Sequence, residues 1–98
     1  MKIALAQIAP ALGDTDANLD LHLRTVAKAR RLKADLLVFP ELSLTGYTLK
    51  DLVEETALDP RTAPAFRALK AASRVMDLVV GFVEESPRRL GLIYNAAA

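Results

Sequence analysis

Four apolar runs along the chain are short enough to be strands: residues 2–9, 35–39, 78–85 and 92–98. In the first run Ile3 and Leu5 face one way while Ala4 and Ile8 face the other, so both faces of the strand are apolar. This pattern is typical of a sheet that is covered on both sides. Pro40 follows the second run and ends its hydrogen-bonding ladder, because proline has no N–H to donate.

Two segments between these runs have the period of helices. The first, residues 17–33, carries an apolar stripe made of Leu19, Leu23, Val26 and Ala27. On its polar face Asp20 and Arg24 form an i,i+4 pair in the favourable orientation. The candidates for its N-cap are Asp14, Thr15 and Asp16. The second helix, residues 64–75, is predicted to bury Phe66, Leu69 and Met76.

The order of these elements predicts an α/β fold in a single domain. A short additional helix is predicted within residues 49–57, so the order is β-α-β-(α)-α-β-β. Strands that alternate with helices of this length favour a layered structure in which the first three strands are parallel. The last two strands are close enough in sequence to form an antiparallel hairpin across a turn at Pro87.

Composition and charge exclude several classes of function. The thirteen Lys and Arg residues are dispersed and the net charge is +1, so the chain lacks the basic footprint of a nucleic-acid-binding protein. No apolar run is long enough for a membrane span, and the N-terminus has no signal sequence, so we predict no membrane partner and a cytoplasmic location. With no cysteine and one histidine, His22 in the middle of the first helix, we expect no metal site.

A carboxylate, Glu41, lies where the second strand ends. Functional sites of α/β sheets collect at the carboxyl ends of the strands, and Pro40 stiffens this exit. Glu41 can act there as a general base if its surroundings bring its pKa towards the working pH. The alternative, which these residues leave open, is a solvated loop residue or a cap for the next helix.

Two other residues could contribute to a site near Glu41. Tyr47 follows Gly46, which permits a tight turn, and could present its hydroxyl to a polar substrate; a packed aromatic is an equal alternative. Asn95 lies in the fourth predicted strand, where asparagine is disfavoured. We therefore assign Asn95 a structural role, tying a loop to the sheet, rather than substrate contact.

Three segments together resemble the nitrilase (carbon–nitrogen hydrolase) superfamily: KIALAQIAPALGDTDANL at the start, ADLLVFPELSLTGY in the middle, and VVGFVEE followed by LIYNAAA near the end. The resemblance covers nearly all 98 residues in the order and spacing of that family. The run LTGYTLKDL is most similar to one branch, the glutamine-hydrolysing amidase domains of glutamine-dependent NAD synthetases.

The resemblance implies a four-layer α-β-β-α sandwich and a Cys-Glu-Lys catalytic set. Glu41 matches the glutamate of the family, the general base that activates the cysteine thiol. Tyr47 matches a residue that lines the amide pocket in the synthetase branch. The substrate that the resemblance implies is a small amide, which is glutamine in the synthetase branch. The resemblance also implies that the amidase part needs no cofactor, since ATP is used only by a downstream synthetase domain. Family members usually form homo-oligomers.

The family's catalytic lysine and cysteine both come after the position of Ala98, and neither is matched here. Residues 1–98 are therefore expected to be the N-terminal portion of one carbon–nitrogen hydrolase domain, inactive by itself. Two alternatives stay open: a stand-alone amidase of this family, and a complete, non-catalytic α/β module that binds a ligand or a partner.

Overall fold

A computed structural model describes residues 1–46, 57–85 and 93–97 of the chain. Its helices and strands are β1 (Ile3–Leu5), α1 (Thr15–Arg31), β2 (Leu36–Val38), α2 (Pro64–Ala72), β3 (Asp77–Val79), β4 (Gly81–Glu85) and β5 (Ile93–Ala97). The predicted α/β fold is confirmed. The additional helix predicted within residues 49–57 falls almost wholly outside this description, as does the turn at Pro87.

The first three strands form a parallel sheet in the order β1-β2-β3, as predicted. The register places Leu5, Val38 and Val79, the last residue of each strand, side by side. The ladder continues just beyond these residues, since the N–H of Ala6 donates to the carbonyl of Val38 at 2.8 Å. The segments that leave the three strands therefore start from one edge of the sheet.

The prediction of one strand over residues 78–85 was wrong, because the chain forms two strands there. β3 pairs with β2, whereas β4 pairs antiparallel with β5 in a second sheet. Since β2 ends before Pro40, β3 has no ladder partner beyond Val79. The backbone of Gly81 instead bonds to the turn after β2, where the N–H of Leu44 donates to the Gly81 carbonyl at 2.9 Å. The predicted antiparallel pairing of the last two strands is confirmed.

Helix α1 begins and ends two residues earlier than its sequence pattern predicts. Asp14 is its N-cap, and Oδ1 of that residue accepts a hydrogen bond from the N–H of Ala17 at 3.0 Å. The predicted pair on its exposed face is present, with 3.0 Å between Arg24 Nε and Asp20 Oδ2. The helix stops where Lys33 takes a left-handed conformation with φ 60°.

Both helices contribute to one core on one face of the parallel sheet. Its buried apolar residues come from both helices, from β2 and β4 and from the segments between elements: Val26, Ala29, Ala34, Leu37, Phe39, Leu44, Ala65, Leu69, Met76, Val80 and Phe82. Apolar side chains on the opposite face of the sheet are uncovered in the part of the chain described: Ile3 is 56% exposed, Leu5 76% and Val79 36%. No helix in these residues is long and apolar enough to cross a membrane.

Candidate active site

Glu41 lies in the turn that follows β2, at the edge of the sheet where the three parallel strands end. The residue is exposed, whereas Ser43, Leu44 and Thr45 after it are fully buried. The N–H of Ser43 donates to the carbonyl of Pro40 at 3.2 Å, which closes the backbone around Glu41. The sequence-predicted position of Glu41, at a strand exit, is therefore the observed one.

The backbone of this turn is held in an uncommon conformation. Leu42, directly after Glu41, has φ 50°, in the left-handed region that residues with a Cβ seldom adopt. The N–H of Gly46 donates to the Leu42 carbonyl at 2.7 Å. Such conformations persist only where the surrounding structure enforces them, and they are common at functional sites.

His22 of α1 is fully buried and contacts the turn directly. Its ring stacks on Phe39, with 4.1 Å between the ring centroids, and its Nε2 lies 2.9 Å from Ser43 Oγ. Its Nδ1 lies 2.6 Å from the carbonyl oxygen of Asn18, one helical turn earlier. Ser43 Oγ also accepts a hydrogen bond from the N–H of Gly81 at 3.4 Å.

These partners define the protonation of the His22 ring. A carbonyl oxygen can only accept, so Nδ1 carries the proton and donates it to Asn18. In the neutral ring Nε2 then accepts from the hydroxyl of Ser43, which in turn accepts from Gly81. Burial lowers the pKa of His22 below its usual range, and the hydrogen bond to Asn18 opposes this only in part. The neutral ring therefore satisfies every polar group in the chain of contacts.

Asn18, also on α1 and fully buried, links the segment after β1 to the same turn. Its Oδ1 accepts from the N–H of Ala11 at 2.6 Å, and its Nδ2 donates to the carbonyl of Ala11 at 2.8 Å and to that of Leu44 at 3.0 Å. One helix thus holds two of the segments at this edge of the sheet by buried hydrogen bonds.

We expect the protein to lose stability as the pH falls below about 6.5, the ordinary pKa of a histidine. Below this pH the histidine of the unfolded chain takes up a proton, whereas buried His22 takes one up only at lower pH. The contribution of neutral His22 to stability is therefore complete above the pKa of the unfolded chain and is lost as the pH falls below it. Thermal unfolding of the full-length protein at roughly pH 7.5 and 5.5 measures this, with His22→Gln as the control that cannot titrate. Equal losses in both proteins would contradict it.

Two glycines allow backbone segments to meet at this edge. Gly46 has φ 80°, and a Cβ on it would lie 2.8 Å from the carbonyl oxygen of Ala11. A Cβ on Gly81 would lie 2.9 Å from the carbonyl oxygen of Pro40 and 3.0 Å from the carbonyl carbon of Glu41, with the Leu42 nitrogen closer still. The start of β4 therefore packs against the backbone of Glu41 itself.

The structure gives less information on Tyr47 and Asn95, the other two residues that the sequence suggested for a site near Glu41. Tyr47 lies outside the described residues. Asn95 lies in β5, where its backbone is paired with Val83, and its structural role stays a prediction. Within residues 1–46 and the later described segments, no cluster of His, Cys, Asp or Glu could hold a metal ion.

The sequence reading missed His22, Asn18 and Ser43 as parts of this region. A signal was available for the first two, because His22 is three residues after Leu19 and four before Val26, on the predicted apolar stripe. Asn18 is one turn before His22 on the same side. The sequence carries no comparable signal for Ser43, whose burial depends on segments distant along the chain.

The sequence model of the carbon–nitrogen hydrolase family matches residues 2–98. The chain belongs to the carbon–nitrogen hydrolase family. This confirms the resemblance that was carried by the segments around Glu41 and at both ends of the chain. Glu41, its turn and the contacts of α1 are thus features of a carbon–nitrogen hydrolase domain.

Individual relatives agree with this assignment. The chain is 39% identical over 97 residues to the glutamine-dependent NAD(+) synthetase of Acinetobacter baylyi, covering 99% of this chain and 17% of that protein. The glutamine-dependent NAD+ synthetase of Acinetobacter baumannii, solved with ADP, superposes with a TM-score of 0.71 at 32% identity, over 98% of this chain and 18% of the other. The chain therefore spans less than a fifth of the length of these relatives.

A solved amidase is also similar in structure. It is a Glu-to-Gln mutant of the amidase from Nesterenkonia sp. AN1, with acrylamide added at the active-site cysteine. The TM-score is 0.74 at 29% identity, over 89% of this chain and 35% of the amidase. The matched parts of a synthetase and of an amidase thus both share the fold of this chain.

Proposed function

We propose that the full-length protein hydrolyses a carbon–nitrogen amide bond, and that it is the glutaminase part of a glutamine-dependent NAD synthetase. The observation that carries this is the position of Glu41: an exposed carboxylate at the carboxyl edge of a parallel sheet, in a turn held by buried hydrogen bonds. The choice of glutamine rests on the synthetase relatives, which align with almost the whole chain.

In the proposed reaction Glu41 takes the proton of a cysteine thiol, because the thiolate and not the thiol is the nucleophile. The thiolate attacks the amide carbon, and a cation or backbone donors stabilise the negative oxygen of the tetrahedral intermediate. Collapse expels ammonia, which takes its proton from Glu41, and leaves a thioester. Water, deprotonated by Glu41, then releases the carboxylic acid and regenerates the thiol.

The cysteine of this scheme, and the lysine that the family resemblance implies beside it, are proposed to come from the chain beyond residue 98. The 98 residues contain no cysteine, so they are expected to be inactive by themselves. The exposed apolar residues of β1 and β3 suit the packing of a further sheet layer of an α-β-β-α sandwich, to which the same downstream segment would contribute strands. The similar amidase supports a cysteine nucleophile, since acrylamide adds at the cysteine of its active site.

Tyr47 is proposed to line the amide pocket, six residues after Glu41. Removing its hydroxyl in the full-length Tyr47→Phe variant should raise the KM for glutamine roughly three- to tenfold with little change in kcat, because one neutral hydrogen bond is worth about 1 kcal/mol. Steady-state kinetics of glutamine hydrolysis measures this. An unchanged KM would exclude the pocket role.

The direct test is an assay of the full-length protein with glutamine and with simple aliphatic amides, following ammonia and the acid product. Hydrolysis of glutamine, with a thioester detected by mass spectrometry, is the expected result. Preference for simple amides would favour the stand-alone amidase, for which the similar Nesterenkonia structure is the supporting observation. No hydrolysis of any amide would favour the non-catalytic module.

The proposal extends to cofactors, location and assembly. The amidase part requires no cofactor, and ATP is needed only by a downstream synthetase domain, so glutamine hydrolysis should proceed in a chelated, ATP-free buffer. We place the protein in the cytoplasm, as a homo-oligomer. A monomeric mass for the full-length protein in solution would contradict the assembly.

A further inference from the structure

Two buried polar side chains join α1 to the turn that carries Glu41. His22 and Ser43 are each 0% exposed, and their contact of 2.9 Å connects residues that are 21 positions apart in the chain. Neither is part of the reaction proposed for Glu41. Both are polar groups in a region where the surrounding core is apolar.

His22 contacts the segment on both sides of Glu41. Its ring stacks on Phe39, two residues before Glu41, and its Nε2 meets the hydroxyl of Ser43, two residues after. The segment that carries Glu41 is therefore held from within by the two neighbours that His22 contacts. Few single side chains could restrain both ends of so short a segment.

Ser43 extends this restraint to the second sheet. Its Oγ accepts from the N–H of Gly81 at the start of β4, and the neighbouring Leu44 N–H donates to the Gly81 carbonyl at 2.9 Å. The turn is therefore fixed to α1 through His22 and to β4 through Gly81. Ser43 takes part in both connections, through its contact with His22 and through one of the two hydrogen bonds to Gly81.

A contribution to stability does not by itself explain why polar side chains are buried at positions 22 and 43. Burying a hydroxyl and an imidazole costs free energy that hydrogen bonds only offset, and apolar side chains of similar volume often serve as well. The turn has a conformational requirement that apolar packing meets poorly, since Leu42 is held at φ 50°. Directional hydrogen bonds restrain such a backbone more narrowly than dispersion contacts do.

We propose that His22 and Ser43 are positioning residues that fix the Glu41 carboxylate in the geometry needed to take the proton of the thiol. The inference rests on the proposed function of Glu41. Neither residue touches the reacting atoms. Their effect is on kcat, because a displaced base slows proton transfer without altering the pocket that binds the amide.

The test is the kinetics of glutamine hydrolysis by full-length Ser43→Ala and His22→Leu variants. Each should lower kcat roughly ten- to a hundredfold, the usual effect of misplacing a reacting group by a fraction of an ångström to 1 Å, and leave KM within about twofold. Because the two side chains share one contact, the losses in the two single variants should be less than additive in the double variant.

Thr45→Val is the matched control. Thr45 lies in the same turn and is equally buried, but its hydroxyl donates to the carbonyl of its neighbour Gly46, at 3.5 Å, and makes no hydrogen bond to α1 among the described residues. This variant also loses a buried hydroxyl, so it reports the cost of that loss alone. Its kcat should stay within about twofold of the wild type.

His22→Gln tests the geometry should the other variants fold poorly. The glutamine amide can place an acceptor near the position of Nε2, and it should restore most of the kcat that His22→Leu loses. Equal kcat values for Ser43→Ala, His22→Leu and Thr45→Val, in a protein that Glu41→Gln inactivates, would overturn the positioning role and leave the proposed function intact. Full activity of Glu41→Gln would overturn both.

Discussion

Glu41→Gln in the full-length protein should lower the rate of amide hydrolysis by about two to four powers of ten, the usual contribution of a general base. Glutamine is almost isosteric with glutamate but cannot accept the thiol proton. Because Glu41 is exposed and its turn is held by Ser43 and Leu44, the fold should change little. Single-turnover kinetics of thioester formation measures the affected step directly.

Two further variants separate the loss of the base from the loss of a charge. Asp20→Asn removes one negative charge from the exposed face of α1, where the ion pair with Arg24 contributes little, and should leave the rate unchanged. Glu41→Asp keeps the carboxylate but withdraws it by one methylene, so its rate should lie between the wild type and Glu41→Gln. Near-normal turnover of Glu41→Gln would remove Glu41 from the mechanism.

Gly81→Ala should destabilise the protein by about 1–3 kcal/mol and also slow amide hydrolysis, since its methyl group needs space that the Glu41 turn occupies. The new Cβ would stand 2.9 Å from the Pro40 carbonyl oxygen and 3.0 Å from the Glu41 carbonyl carbon. Backbone cannot rotate away as a flexible side chain can, so the turn and β4 must separate. Unfolding free energy and kcat of the full-length variant measure the two effects.

Gly46→Ala is the comparison for this variant. Its Cβ would meet the backbone of Ala11 and Leu12 rather than that of Glu41, and its φ of 80° adds conformational strain. Gly46→Ala should therefore lose at least as much stability, while its kcat at a temperature where both variants are folded should exceed that of Gly81→Ala. The reverse order of kcat would show that the contact at Gly81 does not position Glu41.

Local patterns were enough to predict the framework of this domain. The helix predicted over residues 17–33 and observed over 15–31 follows from a 3.6-residue period, and the parallel arrangement of three strands follows from their alternation with helices. Pro40 placed Glu41 at a strand exit, because the end of a hydrogen-bonding ladder is a property of one residue. The resemblance of the FPELSLTGY segment then supplied a role for that carboxylate.

The division of residues 77–85 into two strands could not be predicted from local sequence patterns. An unbroken apolar run is compatible with one strand or two, and the choice depends on which neighbour each part can pair with. Gly81 leaves the first sheet because the turn after β2 takes its hydrogen bonds. That turn lies nearly 40 residues earlier in the chain, beyond the reach of any local period.

The candidate site likewise has one part that depends on local sequence and another that depends on contacts between distant segments. The location of Glu41, the proposed base, is a local property of a strand end and its proline. The contacts that hold it join residue 22 to residues 39 and 43, and residue 43 to residue 81. Periodicity reports which face of an element is buried, but not which partner a buried polar group finds, because that depends on how distant elements pack together.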